Sequence, residues 1–189
     1  GLPALAAAKC GAKAVLATDA VPAVLGALCA NAAANGLAGV RTAPLDFATA
    51  AGLLDAGRGA WDLVLFADCV YHAGAGEAVL RAVKALLCRG SGMGVGVLPS
   101  SGVRSGLDAF WAAVQLDPEI RTEVVDVEPA GGAPWDLPHL SLRLVTIRLA
   151  DGLGGGAPSD VDEEPCDASW DRLRSLFVDS EGGDYHDKK

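Results

Sequence analysis

Residues 61–67, WDLVLFA, are of strand length and carry an unbroken apolar run from Leu63 to Ala67. A strand with one wet face alternates apolar and polar side chains, so an unbroken run predicts burial on both faces, as in a parallel sheet covered by helices. The flanking sequence supplies such helices. Residues 2–10, LPALAAAKC, predict an Ala/Leu-rich helix stopped by Gly11. AVLAT at 14–18 reads as a short buried strand ending at Asp19, and 22–34 as a helix with Pro22 in its first turn and Asn35-Gly36 closing it. A strand is expected around 40–43 and a short helix at 48–54. Helices follow at 76–88 and 106–115, on either side of a glycine-loosened strand at 92–99. Residues 120–128 and 140–149 read as two further strands able to pair antiparallel, joined by the loop PAGGAPWDLPH. The order predicts an α/β, doubly wound sheet with an antiparallel terminal strand pair.

Composition marks where that body ends. Residues 1–150 carry 13 acidic and 11 basic side chains, whereas 151–189 carry 11 and 4, so most of the net charge of −9 belongs to the last 39 residues. That stretch is rich in Gly, Pro and acids. It predicts a largely disordered tail, with Trp170, Leu173, Leu176 and Phe177 spaced for a short amphipathic helix at 169–178. A basic footprint for nucleic acid is absent. No run approaches the ~20 uninterrupted apolar residues of a membrane-spanning helix. The five cysteines are odd in number and never in C-x-x-C spacing, which supports neither a disulfide framework nor a metal site. They predict small core thiols in a reducing compartment, cytoplasm or nucleus.

Candidate chemistry sits after the strands. In open α/β sheets ligands bind beyond the carboxyl ends of the strands, where an acid can hold a ribose. Asp19 occupies such a position, but it can equally cap the next helix. Asp46 and Phe47 could present a carboxylate and a ring to an adenine; taken alone, an N-cap and a core anchor are the stronger reading. Asp68 and Tyr71, directly after the buried run, are the pair for which the ligand reading outweighs loop punctuation. His72 reads as a surface loop histidine, His139 has no visible partner, and Arg104 could pair with a carboxylate. Ser100-Ser101 lack a G-x-S-x-G elbow, and neither a P-loop nor a G-x-G-x-x-G is present.

Taken in order, these pieces resemble a seven-β-strand, Rossmann-like S-adenosylmethionine-dependent methyltransferase. They resemble more closely the protein-lysine methyltransferases of methyltransferase family 16, the methyltransferase-like 21 group. GLPALAAAKCGAKAVLATD is similar to the family's stretch from the last glycine of its glycine loop to the acid ending its second strand. Asn31 and Asn35 stand where the family often has asparagines. Leu45-Asp46-Phe47 resembles an L-x-W element with Phe47 in place of Trp, and Ala67-Asp68-Cys69-Val70-Tyr71 reproduces the A-D-x-x-Y signature. The resemblance implies S-adenosylmethionine as cofactor. Gly1 and Asp19 would hold its methionine and ribose ends, and Asp46, Phe47 and Ala67 would frame the adenine. Asp68 and Tyr71 would lie at the methyl acceptor, a lysine on a protein substrate that the acidic tail would suit if basic. A monomer is expected, with no metal.

The family's first strand and its glycine loop have no counterpart in the sequence. That strand would lie between those at 14–18 and 61–67, so the expectation is a fragment with two unpaired inner edges that binds cofactor weakly. The alternatives are methyl transfer to a protein histidine or a small molecule, and a non-catalytic, degenerate methyltransferase fold acting as a binding module. A plain nicotinamide dehydrogenase is disfavoured by the terminal strand pair and A-D-x-x-Y.

Overall fold

The computed structural model describes residues 1–49, 52, 53, 55–100, 104–127 and 141–150. The chain divides into two units, Gly1–Gly152 and Leu153–Lys189. The second unit lies outside the described residues, and with it the acidic tail and the helix expected at 169–178; so does His139.

Helices and strands alternate through the first unit: α1 (Leu2–Lys9), β1 (Val15–Asp19), α2 (Pro22–Ala34), β2 (Val40–Pro44), β3 (Leu63–Ala67), α3 (Ala75–Leu86), β4 (Met93–Pro99), α4 (Leu107–Leu116), β5 (Ile120–Val127) and β6 (Leu142–Leu149). The short helix expected at 48–54 is absent from its described part: residues 48, 49, 52 and 53 are turns. Asp46 directs this, because its carboxylate accepts the Ala48 amide at 2.8 Å and the Thr49 hydroxyl at 3.0 Å, which closes a turn.

β1 pairs with β2 in parallel, and a second sheet runs in the order β3-β4-β6-β5. β3 and β4 are parallel, while β6 is antiparallel to both β4 and β5. The antiparallel pair expected at the chain's end is therefore present, with the last strand inserted between β4 and β5. No described strand lies between β1 and β3, although α1 packs on both. Among the described residues the strands therefore form two separate sheets, with β1 and β3 not paired to each other.

Glycines in β4 make the insertion possible. A Cβ on Gly96 would overlap the Phe66 ring and stand 2.8 Å from Val145 Cγ1, and one on Gly94 would stand 2.8 Å from Val83 Cγ1 and 3.3 Å from Ile147 Cβ. Each glycine thus leaves room for a large side chain on the neighbouring strand or helix. The resulting core gathers Phe66, Val79, Val83, Leu98, Phe110, Val145 and Ile147 between one face of this sheet and helices α3 and α4.

Two expectations are corrected. β3 is covered on one face only: Phe66 is buried and Val64 half-buried, while Leu63 and Leu65 are each 38% exposed. Apolar character along the whole run reports the chemistry of both faces, and cover depends on what packs against each. The four cysteines among the described residues are not core residues either: Cys10 and Cys29 are exposed, and Cys69 and Cys88 half-buried.

Candidate functional site

The carboxyl ends of β1, β2 and β3 bring the candidate residues together. Asp19 ends β1 in register with Pro44, and its carbonyl accepts the Leu45 amide at 3.1 Å, so Asp19 and Asp46 stand on neighbouring strand ends. One carboxylate oxygen of Asp19 accepts the Val21 amide at 2.9 Å, a local turn just ahead of α2, whose N-cap Val21 makes no side-chain cap bond. Its other oxygen has no hydrogen-bond partner among the described residues.

Across the gap, β3 delivers Ala67, Asp68 and Cys69. Burial pushes the Cys69 thiol above its ordinary range; its hydrogen bond to the Ala67 carbonyl opposes the rise, and the Asp68 and Asp19 carboxylates add to it. The Cys69 thiol donates to the Ala67 carbonyl at 3.4 Å. Sequence reasoning passed over Cys69 as a packing thiol; its place one residue after Asp68 was the available signal.

Asp46 and Phe47 are placed differently. Both Asp46 oxygens are engaged in the turn. Phe47 is half-buried and packs against two apolar clusters, one around Phe66 and Val79 and the other around Leu45, Ala56 and Leu86. Its carbonyl also accepts from Arg81 Nη2 at 3.4 Å. Turn formation and core anchoring account for both residues.

Asp68 carries the densest set of interactions. Its φ of +47° is the only positive value for a non-glycine among the described residues. Its amide donates to the Val97 carbonyl at 3.0 Å. Arg104 Nε and Nη2 donate to its two carboxylate oxygens at 2.9 and 2.7 Å, a two-point fork. That fork holds the Asp68 carboxyl below its ordinary range; partial burial opposes the shift. Tyr71 is 59% exposed, its ring edge-on to His72 at 5.1 Å between centroids. His72 lies on the surface, and its Nδ1 pairs with the Ala73 carbonyl at 2.8 Å.

Among the described residues no three His, Cys, Asp or Glu side chains converge as a metal site, and no helix is long and apolar enough to cross a membrane. No protein-family model and no curated protein matches the sequence. Solved structures do match. The chain is similar to precorrin-6y C5,15-methyltransferase from Geobacter metallireducens at 21% identity, with a TM-score of 0.52 over 72% of this chain and 68% of that one. It is similar to ribosomal protein L11 methylase from Lactobacillus delbrueckii at 20% identity, with a TM-score of 0.52 over 78% of this chain and 65% of that one. YcgJ protein from Bacillus subtilis gives 12% identity and a TM-score of 0.54, covering 74% of this chain and 84% of that one. The fold is accordingly the Rossmann-like α/β fold of methyltransferase structures.

Proposed function

We propose that the chain is an S-adenosylmethionine-dependent methyltransferase, and that its acceptor is a lysine amine on a protein. One observation carries this reading: Asp68 and Tyr71 follow the carboxyl end of β3, in a methyltransferase fold, and Asp19 ends β1, the strand edge that no described strand joins to β3. The Asp19 oxygen that has no partner among the described residues suits a ribose hydroxyl, and Ala67 would put only a methyl beside an adenine. When bound, S-adenosylmethionine supplies a methyl group on a sulfonium, open to in-line displacement.

The chain's own residues then have to align an amine. A free lysine has a pKa of ~10.4, so the amine must reach the site neutral. The exposed phenol of Tyr71 can orient it by hydroxyl or ring. Asp68, its carboxyl held down by Arg104, is a poor proton acceptor and acts by charge and hydrogen bonding. Alignment is the main source of rate in such a reaction.

The test is transfer of labelled methyl to lysine-bearing proteins. Tyr71→Phe and Asp68→Ala are each expected to cut the rate by about a hundredfold, the scale of a 1 Å misplacement. Full activity in both variants refutes the roles. The split sheet favours a second reading, a non-catalytic module with this fold, because β1 and β3 present unpaired edges where a complete sheet would support a cofactor. Calorimetric titration with S-adenosylmethionine separates the two, on this chain and on any longer form that adds a strand between β1 and β3. Binding supports the enzyme; silence from a folded longer form leaves the module.

A further inference from the structure

We infer that Arg104 is the positioning residue of the acceptor site, holding the Asp68–Tyr71 loop in place from the neighbouring loop after β4. The inference rests on the reading of Asp68 and Tyr71 as acceptor-facing. Three observations converge on it.

Asp68 is fixed from two directions at once. Its amide is tied to Val97 on β4, and its carboxylate to both donor positions of one guanidinium. A left-handed backbone at a non-glycine residue persists only where the surroundings hold it, and these bonds do so. Lysine could offer the same charge, but a single rotating ammonium cannot reproduce the planar fork that sets the carboxylate's orientation.

The two loops also meet at backbone level. A Cβ on Gly106 would stand 2.8 Å from the Val70 carbonyl oxygen and would overlap that of His72. Arg104 is two residues from this contact, and its carbonyl accepts the Leu107 amide at 3.2 Å, in the turn that starts α4. An anchored backbone therefore carries the arginine, and α4 fixes where the guanidinium stands. Tyr71 lies between the two points at which its loop is held, Asp68 on one side and the His72 carbonyl on the other.

Arg104 further lines a cavity of about 320 Å³ together with Ser100, Ser105, Asp108, Trp111 and Arg143. A substrate group entering that cavity meets the guanidinium that orients Asp68.

The experiment reads position directly, by NMR on the full chain. The Asp68 and Ala75 amides, bonded to the Val97 and His72 carbonyls, bracket the loop. Arg104→Gln is expected to speed their hydrogen exchange by up to about fivefold, the upper range for a half-exposed ion pair, while buried amides of α3 and β4 keep their rates. The Asp68 carboxyl should then titrate closer to the ordinary carboxylate range. Arg104→Lys should give an intermediate result, charge without the fork. Unchanged exchange and titration in Arg104→Gln overturn the proposal. So does acceleration throughout α3 and β4, which would make the arginine a general stabiliser. The functional reading fails separately: if Tyr71→Phe leaves methyl transfer intact while these NMR changes occur, Arg104 still positions the loop, but the loop is not the acceptor site.

Discussion

At the residue scale, the fork between Asp68 and Arg104 links the site to pH. The Asp68 carboxyl is depressed by the guanidinium, so the folded chain holds the carboxylate more tightly than the unfolded chain does. The pair's contribution is present above the ordinary carboxylate pKa of ~3.9 and fades as acid carries the pH down through the depressed value. A titration of loop chemical shifts should show the 68–72 conformation kept at pH 4.5 and lost in stronger acid. An earlier loss, above pH 5, would contradict the direction of the shift. Phe110 acts on a different quantity. It is fully buried between α3 and α4 and the sheet, with its ring tilted against Phe66 at 6.2 Å. Phe110→Ala should cost about 3–5 kcal/mol in urea unfolding.

At the element scale, β4 and α3 organise the larger sheet. Gly96→Val would drive two methyls into the Phe66 ring and Val145. Overpacking of that kind costs about 1–3 kcal/mol and is read as a lower urea midpoint with a similar slope. α3 carries a second link. Lys84 is ion-paired with Asp117, just after α4, and with Glu119 at 3.0 Å, just before β5. Partial burial alone would lower the Lys84 pKa, but the two carboxylates outweigh it and raise the value. The stabilisation is therefore complete below the unfolded lysine pKa of ~10.4 and disappears as pH rises through the folded value. Lys84→Met should unfold at lower urea than the parent at pH 7, and the difference should shrink above pH 11. A difference that persists there would assign the effect to packing of the lysine stem.

At the scale of the whole described unit, the split between β1 and β3 dominates the surface. Leu63 and Leu65 project from β3 half-exposed, and α1 buries none of its residues although it is rich in Ala and Leu. An apolar patch of this kind binds hydrophobic probes. An environment-sensitive naphthalene dye should bind the folded chain at neutral pH, and the double substitution Leu63→Ser, Leu65→Ser should weaken that binding severalfold. Equal dye binding by the variant would place the patch elsewhere. A parallel strand entering the gap would pair with both edges and cover these leucines, so S-adenosylmethionine binding and loss of dye binding should appear together in a longer form.

The sequence alone determined most of the order of elements, because periodicity and punctuation are local: Pro22 opens α2 where it sits, Asn35-Gly36 closes it, and the apolar run expected as a strand at 61–67 holds β3 at Leu63–Ala67. It also placed Asp19, Asp68 and Tyr71 at strand ends, since residues just past a strand's carboxyl end in a doubly wound sheet lie at the ligand edge. Tertiary structure decided what depends on distant partners. Only pairing inserts β6 between β4 and β5, and only packing leaves Leu63 and Leu65 uncovered. Phe47, half-buried, is anchored by apolar clusters from distant parts of the chain, whereas the turn that replaces the expected helix is local to Asp46. Arg104 lies 36 residues from Asp68 along the chain, so no local pattern joins them; the parallel alignment of β3 and β4 brings their loops side by side.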